Sequence, residues 1–305
     1  MAYVLRKKFG QLKMSDPILW IFNLDYSFIP HYFPSCLTIY HCVDLHTADT
    51  TSEREKRWIE RQENSLLESA DMVLCTSRRL FSHCSRKNPR TFLVPNGADF
   101  PLFAKASDPS TPLPLELKGI RRPIIGYVGS LDERIDKELI SHIVRRRGDW
   151  SLVLVGRRKR EFGSFPQGVE TNNLHFFDQQ PMDRLPGFLK AFDVCIIPYL
   201  VNPLTEAVYP LKVNEYLAAG KPVVSTALNE LEPLKEVVLL SGSKEEFYEN
   251  ILRALTDVPE KVKKRQEIAM QNDWEARVQE ISRVIKGFLE GRRSRPPTKS
   301  ELTGC

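Results

Sequence analysis

Ten short apolar runs bounded by turn residues alternate with seven longer amphipathic segments, and this alternation restricts the chain to few folds. The runs read as strands at 18–22, 37–40, 72–75, 92–94, 124–128, 152–155, 174–176, 194–197, 222–225 and 237–239. Helices fit between and after them at 52–69, 137–146, 182–191, 211–219, 245–255, 260–271 and 274–289. Apolar strands separated by helical segments belong to an α/β protein whose sheets are largely parallel and covered on both faces.

At 305 residues the chain exceeds what one core usually covers, so two lobes are expected. Between Asp99 and Pro123 the pattern gives way to Pro- and Ser-rich sequence, Ser-Asp-Pro-Ser-Thr-Pro-Leu-Pro at 107–114, which reads as a linker. The division follows: a first Rossmann-like lobe over 1–105, a linker over 106–122, a second such lobe over 123–272, a closing helix over 273–290 and a disordered basic tail over 291–305. A composition of 42% apolar and 27% charged residues suits folded lobes.

No stretch approaches the roughly 20 apolar residues that a spanning helix needs, and no charged-then-apolar leader pattern opens the chain. A cytoplasmic location is expected, with the basic tail offering peripheral contact with an anionic membrane at the inner face of the plasma membrane. Cys36, Cys42, Cys75, Cys84, Cys195 and Cys305 form no Cys-x-x-Cys pair, and buried reduced thiols are expected rather than disulfides or a metal site. The net charge of +5 favours anionic partners. Nucleic acid ranks last among them, because aromatic residues are not interleaved with the basic clusters.

The segment 209–225, Tyr-Pro-Leu-Lys-Val-Asn-Glu-Tyr-Leu-Ala-Ala-Gly-Lys-Pro-Val-Val-Ser, carries the most chemistry. Pro210 suits a helix start, Gly220 its end, and a strand follows. The free N–H groups of such a helix favour an anion, and a diphosphate is the natural guest. Leu211, Lys212 and Glu215 share a face, which places the Glu215 carboxylate one turn in, where it can accept from ribose hydroxyls. The alternative is a Lys212–Glu215 surface ion pair on an ordinary helix. Upstream, one apolar strand ends in Gly129-Ser130 and another in Gly156-Arg157. Ligands of open α/β sheets bind outside strand carboxyl ends, so these turns and the 211–219 helix are expected to converge on one crevice.

In combination, Gly-Tyr-Val-Gly-Ser (126–130), Val-Pro-Asn-Gly-Ala-Asp (94–99) and Pro-Leu-Lys-Val-Asn-Glu-Tyr-Leu-Ala-Ala-Gly-Lys-Pro-Val-Val (210–224) resemble the retaining GT-B glycosyltransferases, nearest to those of bacterial teichuronic-acid and surface-polysaccharide synthesis. The resemblance implies a nucleotide-sugar donor on the C-terminal lobe, a glycan or lipid-linked acceptor on the N-terminal one, and hexosyl transfer in the cleft between them. It implies no cofactor and no catalytic metal, and the sequence contains no Asp-x-Asp. By position Glu215 matches the ribose-binding glutamate, and Leu211 and Lys212 match the helix start whose backbone amides meet the diphosphate, with Pro210 just ahead of them counted among the donor-binding residues.

The chain departs from the pattern in places. A first glutamate eight residues before Glu215 would fall on Ala207, with Glu206 one position off. The usual Arg and Lys after the Gly-Ser strand would fall near Ser130 and Asp136, so Arg134, Lys137, Arg157, Arg158 and Lys212 are taken as chemical substitutes. In the first lobe, Tyr-His-Cys-Val-Asp-Leu-His (40–46) resembles the cleft-facing strand end of the same subgroup. There Asp44, His41 or His46 would contact acceptor or sugar, the alternative being a cap on the following helix. The strand, glycine turn and helix that usually open the acceptor lobe have no counterpart before Pro17. A truncated first lobe is therefore expected, and a partner subunit supplying the missing part is one consequence. Two further readings stay open: a nucleotide-sugar epimerase on the same scaffold, and a non-catalytic donor-binding subunit.

Overall fold

The computed structural model describes residues 2–293 apart from 15–16, 34–35, 49, 51, 167–171 and 259. Cys305 and the basic tail beyond residue 293 lie outside the described residues. The first lobe contains α1 (Ala2–Gln11), β1 (Ile18–Ile21), β2 (Leu37–Cys42), α2 (Glu53–Ser69), β3 (Met72–Cys75), α3 (Arg78–Cys84) and β4 (Thr91–Leu93). Its four strands pair in parallel in the order β1-β2-β3-β4. After α4 (Phe100–Phe103) come β5 (Ile124–Val128), α5 (Lys137–Arg146), β6 (Ser151–Val155), β7 (Leu174–Phe177), α6 (Leu185–Ala191), β8 (Val194–Ile197), α7 (Lys212–Ala218), β9 (Val223–Thr226), β10 (Val238–Ser241), α8 (Lys244–Leu255), α9 (Glu260–Gln271) and α10 (Trp274–Arg293).

All ten expected strands are present, and the second sheet is also parallel, in the order β10-β9-β8-β5-β6-β7. Its central strands are fully buried, as continuous Ile, Val and Leu runs between two helix layers require. The chain builds outward from β5 through β6 to β7, then returns to the other side of β5 with β8. That reversal falls between β5 and β8, and the carboxyl ends of strands at such a point are where open α/β sheets bind ligands.

Three helices were not expected. Helix α1 lays Leu5 and Phe9 on the first core, with Phe9 against Phe33 at 5.2 Å between ring centroids. Helix α3 has seven residues and depends on its cap, the Ser77 side chain accepting from the Leu80 N–H. Helix α4 starts on an Asp99 cap. The Pro- and Ser-rich stretch is strapped to the second lobe: Ala106 and Leu117 enter that lobe's core, and Lys190 Nζ donates to the carbonyls of Asp108, Pro109 and Thr111 at 2.7–2.8 Å.

The chain ends by crossing back. Helix α10 continues to Arg293, past residue 290 where the tail was expected, and places Ile281, Val284, Ile285 and Phe288 against Ile39, Met72, Leu74 and Val94 of the first sheet. The outward and return crossings touch: Ala98 bridges Asp273, and a methyl added at Gly97 would lie 3.0 Å from the Trp274 nitrogen.

Candidate active site

Helix α7 begins at Lys212, so Pro210 stands ahead of the first turn instead of inside it, and its carbonyl accepts from the Val213 N–H at 3.0 Å. The helix stops as its glycine requires. Gly220 has φ +70°, its N–H donates to the Leu217 carbonyl, and the Lys221 N–H donates to that of Tyr216. No side chain caps the start at Leu211.

The two glycine turns and Lys212 meet. Gly129 and Gly156 follow β5 and β6 with φ +150° and +152°, a region that side-chain-bearing residues avoid. A methyl on Gly156 would collide with the Gly129 carbonyl, and one on Gly129 would lie 2.7 Å from Lys212 Cε. The Lys212 ammonium donates to Tyr199 Oη at 2.6 Å, just past the end of β8, and lies 5.3 and 5.2 Å from the ring centroids of Tyr127 and Tyr199. Among the described residues no carboxylate pairs with it. Burial alone would raise the Tyr199 phenol, but the charges of Lys212 and Arg134 outweigh that and hold it below its usual range. Lys212 therefore sits at the reversal between β5 and β8, steered by a phenol and without a salt bridge.

Glu215 is only 9% exposed, and among the described residues no group donates a hydrogen bond to its carboxylate. Burial raises its pKa, with the Lys212 charge opposing. The alternative of a Lys212–Glu215 surface pair is thereby overturned, since one partner is buried and the other is bonded to Tyr199. Beside the glycine turns lies a cleft of about 540 Å³, lined by Gly129, Ser130, Gly156, Arg157, Gln179 and Met182 among others. Arg157 is exposed along it. A larger hollow of about 810 Å³, with Lys118, Arg121 and Arg145, lies at the amino ends of the same strands, away from where such sheets bind ligands.

Three expected phosphate-facing cations are committed elsewhere. Arg134 forks onto the buried Asp132 at 2.9 and 2.6 Å and lies over the Tyr199 ring. Burial would raise Asp132, yet Arg134, with Lys159 at 3.6 Å, keeps it below the usual carboxylate range. Lys137 donates to the Ser164 carbonyl at 2.8 Å, and Arg158 lies over Phe176.

In the first lobe, His41 accepts from Trp20 Nε1 at 3.3 Å through Nδ1, and its buried Nε2 has no partner. Burial lowers it to about 4, so it is neutral at pH 7. Asp44 is exposed. Neither caps α2: the Ser52 side chain does so, accepting from the Glu55 N–H.

Residues 122–257 match the family model for glycosyl transferases group 1. The curated relative TuaH of Bacillus subtilis, whose name places it in teichuronic acid biosynthesis as a glycosyltransferase, is 28% identical over 201 residues, covering 62% of this chain. The alignment spans 50% of TuaH, so this chain covers about half the length of the curated relative it matches. Sucrose-phosphate synthase from Thermosynechococcus elongatus superposes with a TM-score of 0.72 at 19% identity, over 95% of this chain and 77% of that one. Anabaena HepE in complex with UDP and glucose superposes with a TM-score of 0.70 at 16% identity, over 92% and 80%. These likenesses show the two-lobed α/β fold of GT-B glycosyltransferases.

Against the group 1 pattern, the displaced glutamate has a different task. Ala207 is fully buried, and Glu206 forms a 2.6 Å ion pair with Arg79 of the first lobe. The Arg79 backbone N–H also donates to Glu230 at 3.2 Å. Asn214 of α7 donates to the Asn96 carbonyl at 2.9 Å, tying the candidate donor helix to the crossing. Sequence reasoning missed Tyr199, which follows a strand as Ser130 does but without a glycine to mark the turn.

Proposed function

We propose that this chain is a glycosyltransferase that binds a nucleotide-diphosphate sugar in the crevice at the carboxyl ends of β5, β6 and β8, and passes its hexosyl group to a surface-glycan or lipid-linked acceptor held against the first lobe. The observation that carries the reading is Glu215, 9% exposed and with no donor to its carboxylate among the described residues, one turn into a helix whose first residue, Lys212, makes no salt bridge among them. A nucleoside diphosphate satisfies both: its ribose hydroxyls donate to Glu215, and its phosphates take the charge of Lys212. The match to the group 1 model over the same lobe supports this reading, as does HepE, solved with UDP and glucose on the same fold.

The chemistry asks for positioning and charge stabilisation. The sugar–phosphate bond breaks as negative charge builds on the leaving diphosphate, and fixed donors in a partly desolvated crevice stabilise that charge. Lys212 and the exposed Arg157 are the cations assigned to this task, and the backbone N–H groups of Leu211 and Lys212 assist. Asp132 holds Arg134 in place, so Arg134 acts on the site through the Tyr199 ring. In this reading the acceptor oxygen bonds to the anomeric carbon on the face from which the diphosphate leaves, and the departing diphosphate takes the acceptor proton, so configuration is retained and neither a protein nucleophile nor a metal is required. Neutral His41 and exposed Asp44 stand on the acceptor side.

A thermal-shift panel of nucleoside mono- and diphosphates and nucleotide sugars tests the reading, because a ligand that binds only the folded state raises the melting temperature. UDP or GDP and their sugars should raise it more than the monophosphates, and Glu215→Ala should abolish the shift. A flat response across the panel by folded protein would reject the assignment.

A further inference from the structure

The first lobe buries three thiols and a carboxylate together. Cys42 ends β2, Cys75 ends β3 and Cys84 ends α3, and all three are free and without solvent exposure. Cys42 and Cys75 are register partners on neighbouring strands. Glu63 of α2 enters the same space. Its Oε1 accepts from Tyr40 at 3.2 Å and lies 3.9 Å from Cys42 Sγ, while its Oε2 lies 2.9 Å from His83 Nε2. The sulfurs of Cys42 and Cys84 and a Glu63 oxygen all fall within 4.8 Å of one another.

Packing alone does not account for this group. Three small apolar side chains would fill the volume, and no carboxylate would be needed in a core where burying one is costly. The spacing is within reach of a tetrahedral cation: a sulfur about 2.3 Å and a carboxylate oxygen about 2.0 Å from a zinc ion lie about 3.5 Å apart, and Cys42 Sγ stands 3.9 Å from the Glu63 oxygen, with Cys84 Sγ in the same group. Thiolates are soft ligands that favour zinc-type ions over magnesium or calcium. His83 and Tyr40 anchor the carboxylate from outside, as hydrogen-bonding partners of metal-bound carboxylates commonly do.

We propose that Cys42, Cys84 and Glu63 hold one thiophilic divalent cation of the zinc type, with Cys75, the register partner of Cys42 on β3, turning in as the fourth ligand, so that the ion clamps β2, β3, α2 and α3 together. Binding releases one proton to solvent from each ligating thiol; the cation offsets two of the four negative charges, and His83, held against Glu63 at 2.9 Å with its pKa raised by that hydrogen bond, offsets one more when protonated. The site is in the lobe opposite the proposed donor crevice and is independent of that reading. Because the thiols are sealed from solvent, the ion enters as the lobe folds.

The test is to refold the reduced, metal-stripped full-length chain with increasing Co²⁺, then add Zn²⁺. One equivalent of Co²⁺ should produce sulfur-to-cobalt charge-transfer absorption with the strong visible bands of a tetrahedral site. Zn²⁺ should erase both and raise the melting temperature. Cys42→Ser and Cys84→Ala should lose the charge-transfer band, His83→Gln should weaken affinity about 10- to 100-fold, and Cys195→Ser in the other lobe should behave as wild type. If the cysteine variants fail to fold, as judged by circular dichroism, the charge-transfer intensity of the wild type still counts the bound thiolates. Folded, fully reduced wild type that takes up no Co²⁺, or binds it without a sulfur band, would overturn the proposal.

Discussion

Glu215→Gln should make the ligand-free protein more stable and its nucleotide binding weaker. In the folded chain Glu215 is 9% exposed with no donor to its carboxylate among the described residues, and the partial desolvation penalises the charged form. Glutamine removes the charge but leaves an amide in the same place, so a net gain of about 1 kcal/mol is expected, or roughly 2–4 °C for a lobe of this size. The sign with pH follows from the raised pKa. The penalty on the charged form is complete above the folded pKa and fades as pH falls towards the ordinary carboxyl value, so the Gln advantage should be present at pH 7 and shrink near pH 4.5. On the binding side, two hydroxyl donors lose a charged acceptor. Hydrogen bonds to charged groups contribute about 1.5–3 kcal/mol, which corresponds to about 10- to 150-fold in UDP affinity. Scanning calorimetry of the apo protein at both pH values and isothermal titration with UDP measure the two effects. A variant less stable than wild type at pH 7, or one with unchanged UDP affinity, would refute the reasoning.

Three further outcomes are expected. Lys212→Met keeps the stem over Tyr127 and Tyr199 but removes the ammonium, so UDP binding should fall by about 1.5–3 kcal/mol while uridine binding holds; equal losses for both ligands by titration would place Lys212 outside the phosphate site. Gly156→Ala forces a methyl against the Gly129 carbonyl at φ +152°, and the strain and overlap together should cost about 3 kcal/mol in urea unfolding; an unchanged midpoint would contradict the packed turns. A double-mutant cycle on Arg79 and Glu206 should give a coupling below about 1 kcal/mol, since both side chains are substantially exposed; a larger value would mean that the pair governs how the lobes meet.

The strands were legible because fully buried Ile, Val and Leu runs declare themselves without reference to the rest of the chain. Helix α3 was not, since seven residues carry too little periodicity and its Ser77 cap resembles any loop serine. Convergence of Gly129, Gly156 and Lys212 was readable, because each marks a turn or helix start that parallel topology must place at one end of the sheet. What each cation does there was not readable. Asp132 captures Arg134 and Ser164 captures Lys137, and such pairings depend on loop paths that spacing does not encode. The clustering of Cys42, Cys75 and Cys84 was likewise hidden, because sheet register brings together residues from separate elements whose sequence intervals match no short motif.

The paired crossings set the terms on which the lobes can move. Residues 96–100 leave the first lobe beside residues 272–274 returning to it, so two covalent links pass through one point and not at opposite rims of the cleft. Any opening must then be a swing about that knot, with α10 carried along on the first sheet like a handle on a lid. The exposed Arg79–Glu206 pair, which joins the lobes by side chains alone, is a contact that such a swing would have to break or carry with it.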